Sequence, residues 1–335
     1  MKKILVTGGL GYIGSHTVVE LQNEGFEVVI IDNLSNTTID VLDKITSITG
    51  IKPTFEEIDL KDKEAVKHFF KYYDIDGVIH FAASKAVGES VSEPLKYYEN
   101  NIATLTYVLK EMVANNISNF IFSSSCTVYG QADELPITES APTKPAESPY
   151  GTTKKMGEDI INDTSKATNL RAIALRYFNP IGAHKTAKIG ELPIGVPQNL
   201  IPYVVQTAAG IRECLSIFGD DYDTVDGTAV RDYIHVVDLA KAHIAALNRL
   251  INNENKAKCE FFNIGTGTGS SVLEVVKAFE NATGKKVNYK IVDRREGDIT
   301  AAYANTDLAN KELGWKAKLN LETALKSAWK WQESL

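Results

Sequence analysis

Short apolar runs alternate with longer amphipathic stretches from the start of the chain. Residues 4–7 and 28–31 are apolar on both faces, the pattern of strands buried inside a parallel sheet. Similar runs predict strands at 54–57, 77–81, 120–123, 172–175 and 261–264. Between them, apolar positions recur at helical spacing over 12–24, 61–73, 95–115, 150–165 and 237–250. Strand and helix in strict alternation predict a doubly wound, parallel α/β sheet of the Rossmann type.

The texture changes after residue 179. Residues 180–199 are rich in Gly and Pro with little periodicity and read as loop, and a helix returns near 200–209. The expected organisation is a dinucleotide-binding domain of residues 1–179 plus about 233–264. Residues 180–232 plus 265–335 then form a smaller C-terminal α/β substrate lobe.

Size and charge narrow the function. A chain of 335 residues has room for both lobes. Its net charge of −7 argues against a nucleic-acid partner and against a polybasic membrane anchor, so an anionic substrate needs local arginines. The apolar start is ended by Gly8, Gly9 and Gly11, which fits a first strand better than a signal segment, and no run reaches the ~18 apolar residues of a membrane span. Cys126, Cys214 and Cys259 are odd in number and widely spaced. They suit no disulfide framework or metal site, and point to a reducing, cytoplasmic location.

Three motifs carry candidate chemistry. The first is Thr7-Gly-Gly-Leu-Gly-Tyr-Ile-Gly14, a Gly-x-Gly-x-x-Gly turn between a predicted strand and a predicted helix. Glycines there let the backbone approach a pyrophosphate, and the helix N-terminus adds positive potential. The second is Asp32 at the end of the second strand, 18 residues after Gly14. It can accept both hydroxyls of an adenosine ribose and repels a 2′-phosphate, which selects NAD over NADP. Asp59-Leu60 after the third strand is placed to reach the adenine. The small residues of Phe81-Ala82-Ala83 allow close cofactor approach, with Lys85 in reach.

The third motif is Tyr150-Gly-Thr-Thr-Lys154, a phenol and an ammonium one helical turn apart. A phenol titrates near ~10, too high for a base at neutral pH. Cations at ~5 Å, here Lys154 and an oxidised nicotinamide, each favour the phenolate by about 3 kcal/mol at an effective dielectric of ~20. Ser125, at the end of the fifth strand, can hydrogen-bond a substrate oxygen. Together these groups predict hydride chemistry at a carbon bearing a hydroxyl. Arg231 and Arg295 are candidates for a diphosphate clamp.

Several longer segments add a resemblance. Gly8 to His16, Lys85-Ala-Val-Gly-Glu-Ser90, Arg176-Tyr-Phe-Asn-Pro180, Asn199-Leu-Ile-Pro-Tyr203, Asp226 to His235 and Arg294-Arg-Glu-Gly-Asp298 resemble the extended short-chain dehydrogenase/reductase family and, within it, the UDP-hexose 4-epimerases. The resemblance implies a tightly held NAD, reduced and reoxidised in each turnover while C4 of the sugar is inverted through a 4-keto intermediate. It implies Tyr150 as base, Lys154 as its electrostatic partner and Ser125 as a hydrogen-bond donor to the 4-oxygen. The implied cofactor contacts are Gly8, Gly11, Tyr12, Ile13, Gly14, Asp32, Asn33, Asn36, Asp59, Leu60, Phe81, Ala82, Ala83, Lys85, Asn100, Tyr177 and Phe178, beside the three catalytic residues. Lys85, Asn179, Asn199, Leu200, Arg231, Arg295, Asp298 and Ala302 are implied for the UDP-sugar, and a homodimer through the helices at 95–115 and 150–165.

Two departures stand out. Cys126 replaces an alanine. Ala302 takes the place where a narrow-specificity subgroup carries a tyrosine, which implies room for an N-acetyl group and a second substrate pair, UDP-N-acetylglucosamine and UDP-N-acetylgalactosamine. A sugar-nucleotide 4,6-dehydratase shares the fold and the Tyr/Lys pair, but needs an added acid and base where this chain has Ser125-Cys126-Thr127. A catalytically silent NAD-binding protein is the other alternative, and it has no need of all three of Tyr150, Lys154 and Ser125.

Overall fold

The computed structural model describes residues 1–295 and 297–335. Strands and helices are numbered in chain order. Among the described residues, β1 (Lys3–Thr7), β2 (Glu27–Asp32), β3 (Thr54–Glu57), β4 (Gly77–His80), β5 (Asn119–Ser123), β6 (Arg171–Tyr177) and β10 (Cys259–Ile264) form one seven-stranded sheet. All its pairings are parallel, in the order β10-β6-β5-β4-β1-β2-β3. Ile4, Leu5, Val6, Val29, Ile30 and Ile31 have no exposed surface, as strands covered on both faces require.

Helices α1 (Tyr12–Asn23), α2 (Asp40–Thr49) and α9 (Val236–Ile251) cover one face, where Val18, Leu21, Ile45, Leu239 and Leu247 pack on Ile4, Val6 and Ile30. Helices α3 (Lys63–Tyr72), α6 (Thr104–Ala114) and α7 (Pro149–Ala167) cover the other, with Val66, Phe69, Leu105, Val108 and Ile161 against Leu5, Val29 and Val78. The strand order reverses between β1 and β4. That is the crevice where ligands of such sheets bind.

The remaining elements form smaller sheets. β9 (Val230–His235) pairs with β7 (Asn179–Ile181), β11 (Gly269–Ser271) and β13 (Ala301–Ala302); β8 (Leu215–Phe218) pairs with β12 (Tyr289–Val292). Helices α8 (Leu200–Ala208), α10 (Val272–Thr283) and α12 (Leu321–Glu333) bury Val204, Val275, Phe279 and Leu325 beside them. Short helices α4 (Val87–Ser92), α5 (Pro94–Tyr98) and α11 (Asp307–Glu312) complete the set.

Three expectations change in detail. The single helix expected over 95–115 is α5 and α6 joined by a π-helical turn, Glu99–Ala103. There the wider turn lets Asn101 reach Ser84 and Thr153, and no Gly or Pro marks it. The fifth strand stops at Ser123, so Ser125 stands beyond it as the cap of a 3₁₀ turn, Cys126–Tyr129. The region expected as loop from 180 contains the end of β7, which gains its partner only from β9.

Candidate active site

The turn after β1 is built for close approach. Gly8 has φ +68°, and a Cβ there would stand 2.9 Å from the Ala82 backbone nitrogen, so the first glycine and the Phe81–Ala82 turn close on each other across the switch point. A Cβ on Gly14 would lie well inside contact distance of the Gly8 carbonyl oxygen. Gly11 caps α1 with no side-chain acceptor, which leaves the first helical N–H groups, from Tyr12 on, for an external anion. This cradle fits a pyrophosphate.

Asp32 accepts hydrogen bonds from the Leu10 and Leu34 amides at 3.1 and 3.0 Å, and so ties the glycine turn to the end of β2. Burial raises its pKa, and these amides act against the rise. Asn33 and Asn36 lie exposed after it, while Asp59 and buried Leu60 follow β3. Asn100 donates to the Ser84 hydroxyl at 3.1 Å, next to the Phe81–Ala83 turn.

Tyr150 and Lys154 lie in the first turns of α7, whose N-cap is Ser148 with Pro149 at the first position. Both side chains are buried. Lys154 Nζ donates to the Ser123 carbonyl at 2.7 Å and stands 5.7 Å from the centre of the Tyr150 ring. Burial brings Lys154 down to about 8, with the Glu158 carboxylate opposing the fall. Burial also pushes Tyr150 well above the usual phenol range, followed by Tyr177; the hydrogen bond with Ser125 pulls the other way. The protein's own groups therefore hold Tyr150 protonated. Making it a base requires a further positive charge.

The arginines meet through a carboxylate. Asp298 accepts from Arg295 at 2.8 Å and lies 3.7 Å from Arg231. Glu296, inside the Arg294–Asp298 motif, lies outside the described residues. Buried Phe178 shares a cluster with Ala302, Val128 and Tyr129, against which Cys126 packs. Burial pushes the Cys126 thiol up to about 12, so it is no nucleophile. Asn179 begins β7, and Asn199 caps α8 just before Leu200.

Two residues escaped the sequence reading. Glu191 joins Lys85 Nζ at 3.2 Å to Asn199 Nδ2 at 2.6 Å, and so bridges two candidate ligand residues. It sits in an irregular stretch where no spacing could mark it. Phe218 is 41% exposed at the end of β8, with the Arg295 guanidinium 5.5 Å from its ring centre. An exposed aromatic at a strand end was the signal available for it.

The sheet order and switch-point glycines are those of a dinucleotide-binding fold, and the Tyr/Lys pair above the sheet's carboxyl ends places it in the short-chain dehydrogenase/reductase class. A family model described as GDP-mannose 4,6 dehydratase matches residues 5–328. The UDP-glucose 4-epimerase of Bacillus subtilis (strain 168) is 54% identical over 333 residues, spanning 99% of this chain and 97% of that protein. A crystal structure of the Stenotrophomonas maltophila UDP-glucose 4-epimerase with NAD and formylated UDP-arabinopyranose superposes with a TM-score of 0.96 at 46% identity, covering 100% of this chain and 98% of that one. The Bifidobacterium longum UDP-glucose 4-epimerase with NAD+ and UDP gives 0.95 at 47%, over 99% and 98%. The chain belongs to this dehydratase and epimerase family, and within it to the UDP-glucose 4-epimerases.

Proposed function

We propose that the chain inverts C4 of UDP-hexoses, interconverting UDP-glucose and UDP-galactose with NAD held in the glycine cradle. The observation that carries this is the buried Tyr150/Lys154 pair, coupled to Ser125 and standing beyond the carboxyl ends of β4 and β5. NAD supplies the acceptor, and then the donor, of the hydride at C4. Tyr150 takes the proton of the 4-hydroxyl and later returns it. Ser125 donates to the same oxygen. Lys154 lends positive charge to the phenolate, which burial alone disfavours. Asp32 receives the adenosine ribose hydroxyls, with Asn33, Asn36, Asp59, Leu60 and Asn100 around that half of the cofactor and Tyr177 and Phe178 at the other. Arg231 and Arg295 take the substrate diphosphate, with Asp298 bridging them, and Asn179, Asn199 and Leu200 line the sugar nucleotide. Phe218 offers its flat face to the base.

The lobes divide the work, with residues 1–179 and about 233–264 holding the cofactor and the rest the sugar nucleotide. Among the described residues no helix is long and apolar enough to cross a membrane. A cytoplasmic homodimer completes the reading, supported by free Cys126, Cys214 and Cys259 and by exposed Leu95 and Met156 on α5 and α7, which contact each other.

A second reading concerns breadth. Ala302 is buried beside Phe178 and pairs with Arg231 across β13 and β9. The ring of Tyr303 lies on the other side of the strand, against Gly269. This packing supports Ala302, rather than Tyr303, as the residue facing the sugar, and a small residue there leaves space for an acetamido group.

The test is one assay series without added NAD. Purified protein should convert UDP-galactose to UDP-glucose and UDP-N-acetylgalactosamine to its 4-epimer, and release NAD rather than NADP when denatured. Ala302→Tyr should keep the first conversion and lose the second. A 4-keto-6-deoxy product would establish a dehydratase, and bound NAD without turnover a silent binder. Equal use of acetylated sugars by Ala302→Tyr would remove the gate.

A further inference from the structure

Beneath these groups lies a buried ion pair with no role so far. Arg176 places Nε and Nη2 on the two carboxylate oxygens of Glu158 at 2.9 and 2.7 Å, the side chains 7% and 3% exposed. Glu158 Oε1 also accepts the Ser124 hydroxyl at 2.6 Å. Arg176 Nη1 donates to the Tyr129 hydroxyl at 2.9 Å, and that hydroxyl donates to Asn263 at 2.7 Å. The guanidinium stands 5.0 and 4.8 Å from the ring centres of Tyr129 and Phe261.

Each anchor of this network adjoins a residue of the proposed site. Ser124 precedes Ser125. Glu158 follows Lys154 by one turn of α7 and Tyr150 by two. Arg176 precedes Tyr177 and Phe178 on the strand that leads to Asn179. Stability alone gives little reason for such a pair, because well-packed apolar side chains commonly replace one at no loss.

We infer that Glu158 is a positioning residue, whose carboxylate locks the Ser125 turn, helix α7 and the end of β6 into one arrangement and so sets the spacing of Ser125, Tyr150 and Lys154. The inference rests on the roles proposed above for those three residues. Charge adds to geometry. Groups facing Glu158 are Lys154 on its own helix, Ser124 just after β5, Arg176 from β6, Tyr129 from the 3₁₀ turn and Cys259 from β10. Lys154 meets Tyr150 and Glu158 on α7, the Ser123 carbonyl and Phe122 of β5, and His80 of β4, which burial keeps neutral. Of these, the Glu158 carboxylate is the anion that favours the ammonium of Lys154.

The test compares the native protein with Glu158→Gln, Glu158→Asp and the double variant Glu158→Gln/Arg176→Met, which removes both members of the pair and so leaves no unpaired buried arginine should the single change fail to fold. NAD content, Tm, and kcat and KM for UDP-galactose across pH are measured for each. The double variant should fold, retain NAD and keep KM within about twofold, while kcat falls at least about tenfold, since small misplacements of reacting groups are costly. Its alkaline limb of kcat should move to lower pH. Glu158→Asp, which keeps the charge but shortens the reach, should lose kcat with the limb in place. A folded double variant with native kcat and an unmoved limb overturns the inference, even if its Tm has dropped, because a merely structural pair shows in Tm alone. Absence of turnover in the native protein sinks the underlying reading as well.

Discussion

On balance the surroundings of Tyr150 disfavour its phenolate, the Ser125 hydrogen bond notwithstanding. Burial holds the phenol protonated, and Lys154, itself lowered to about 8, stands close enough to matter only once a second positive charge arrives. In the proposed role, its reactivity is thereby coupled to an oxidised, loaded cofactor site. Tyr150→Phe removes the proposed proton acceptor and none of the glycine cradle. We expect the variant to copurify with NAD and to turn over UDP-galactose at least about a hundredfold more slowly, the scale of a lost general base. Near-native kcat in a folded, NAD-loaded variant would take Tyr150 out of the mechanism. The Tyr/Lys pair was legible because helical spacing alone fixes it. Glu191 was not, because its partners Lys85 and Asn199 come together only through tertiary contact.

At the level of elements, the glycine turn sets two effects against each other at Gly14. An alanine in a helix is favoured over glycine by about 1 kcal/mol. Here the added Cβ would drive into the Gly8 carbonyl, a backbone atom with no side-chain freedom to yield. Overpacking of this kind costs about 1–3 kcal/mol, so sterics win. Gly14→Ala should lower Tm and reduce the NAD that copurifies; an unchanged NAD content with a raised Tm would show that propensity dominates. The strands of the large sheet were legible because parallel strands are apolar on both faces. β9 was recognisable as a motif but not as a strand, because Arg231 and Asp232 interrupt its apolar pattern. Asp232 is nevertheless buried, held by the Thr266, Gly267 and Ala304 amides and the Thr266 hydroxyl.

The whole molecule buries several histidines as neutral rings. Burial lowers His16 and His80 to about 3 and His235 and His243 to about 4. In the unfolded chain each titrates near ~6.5. Below that pH the unfolded state binds protons that the folded state refuses, so stability is full above ~6.5 and falls as the pH drops toward 4–3. At pH 5.5 the loss is about 1.4 kcal/mol for each histidine. Asp32, Asp232 and Glu139, raised by burial, act in the opposite sense, but only as the carboxylates begin to titrate. Tm should therefore be lower at pH 5.5 than at pH 7.5; an equal or higher value would contradict the neutral histidines. The proposed division into lobes is harder to read than the sheet, because the chain leaves the large sheet after β6 and returns to it only with β10. On the ribosome that detour becomes a waiting time. β10 emerges roughly 85 residues behind the end of β6, on the order of 4–17 s at ordinary rates of synthesis. Through that interval the outer edge of β6 offers its unpaired backbone to any passing strand, and the nascent chain depends on chaperones or on speed to reach β10 first.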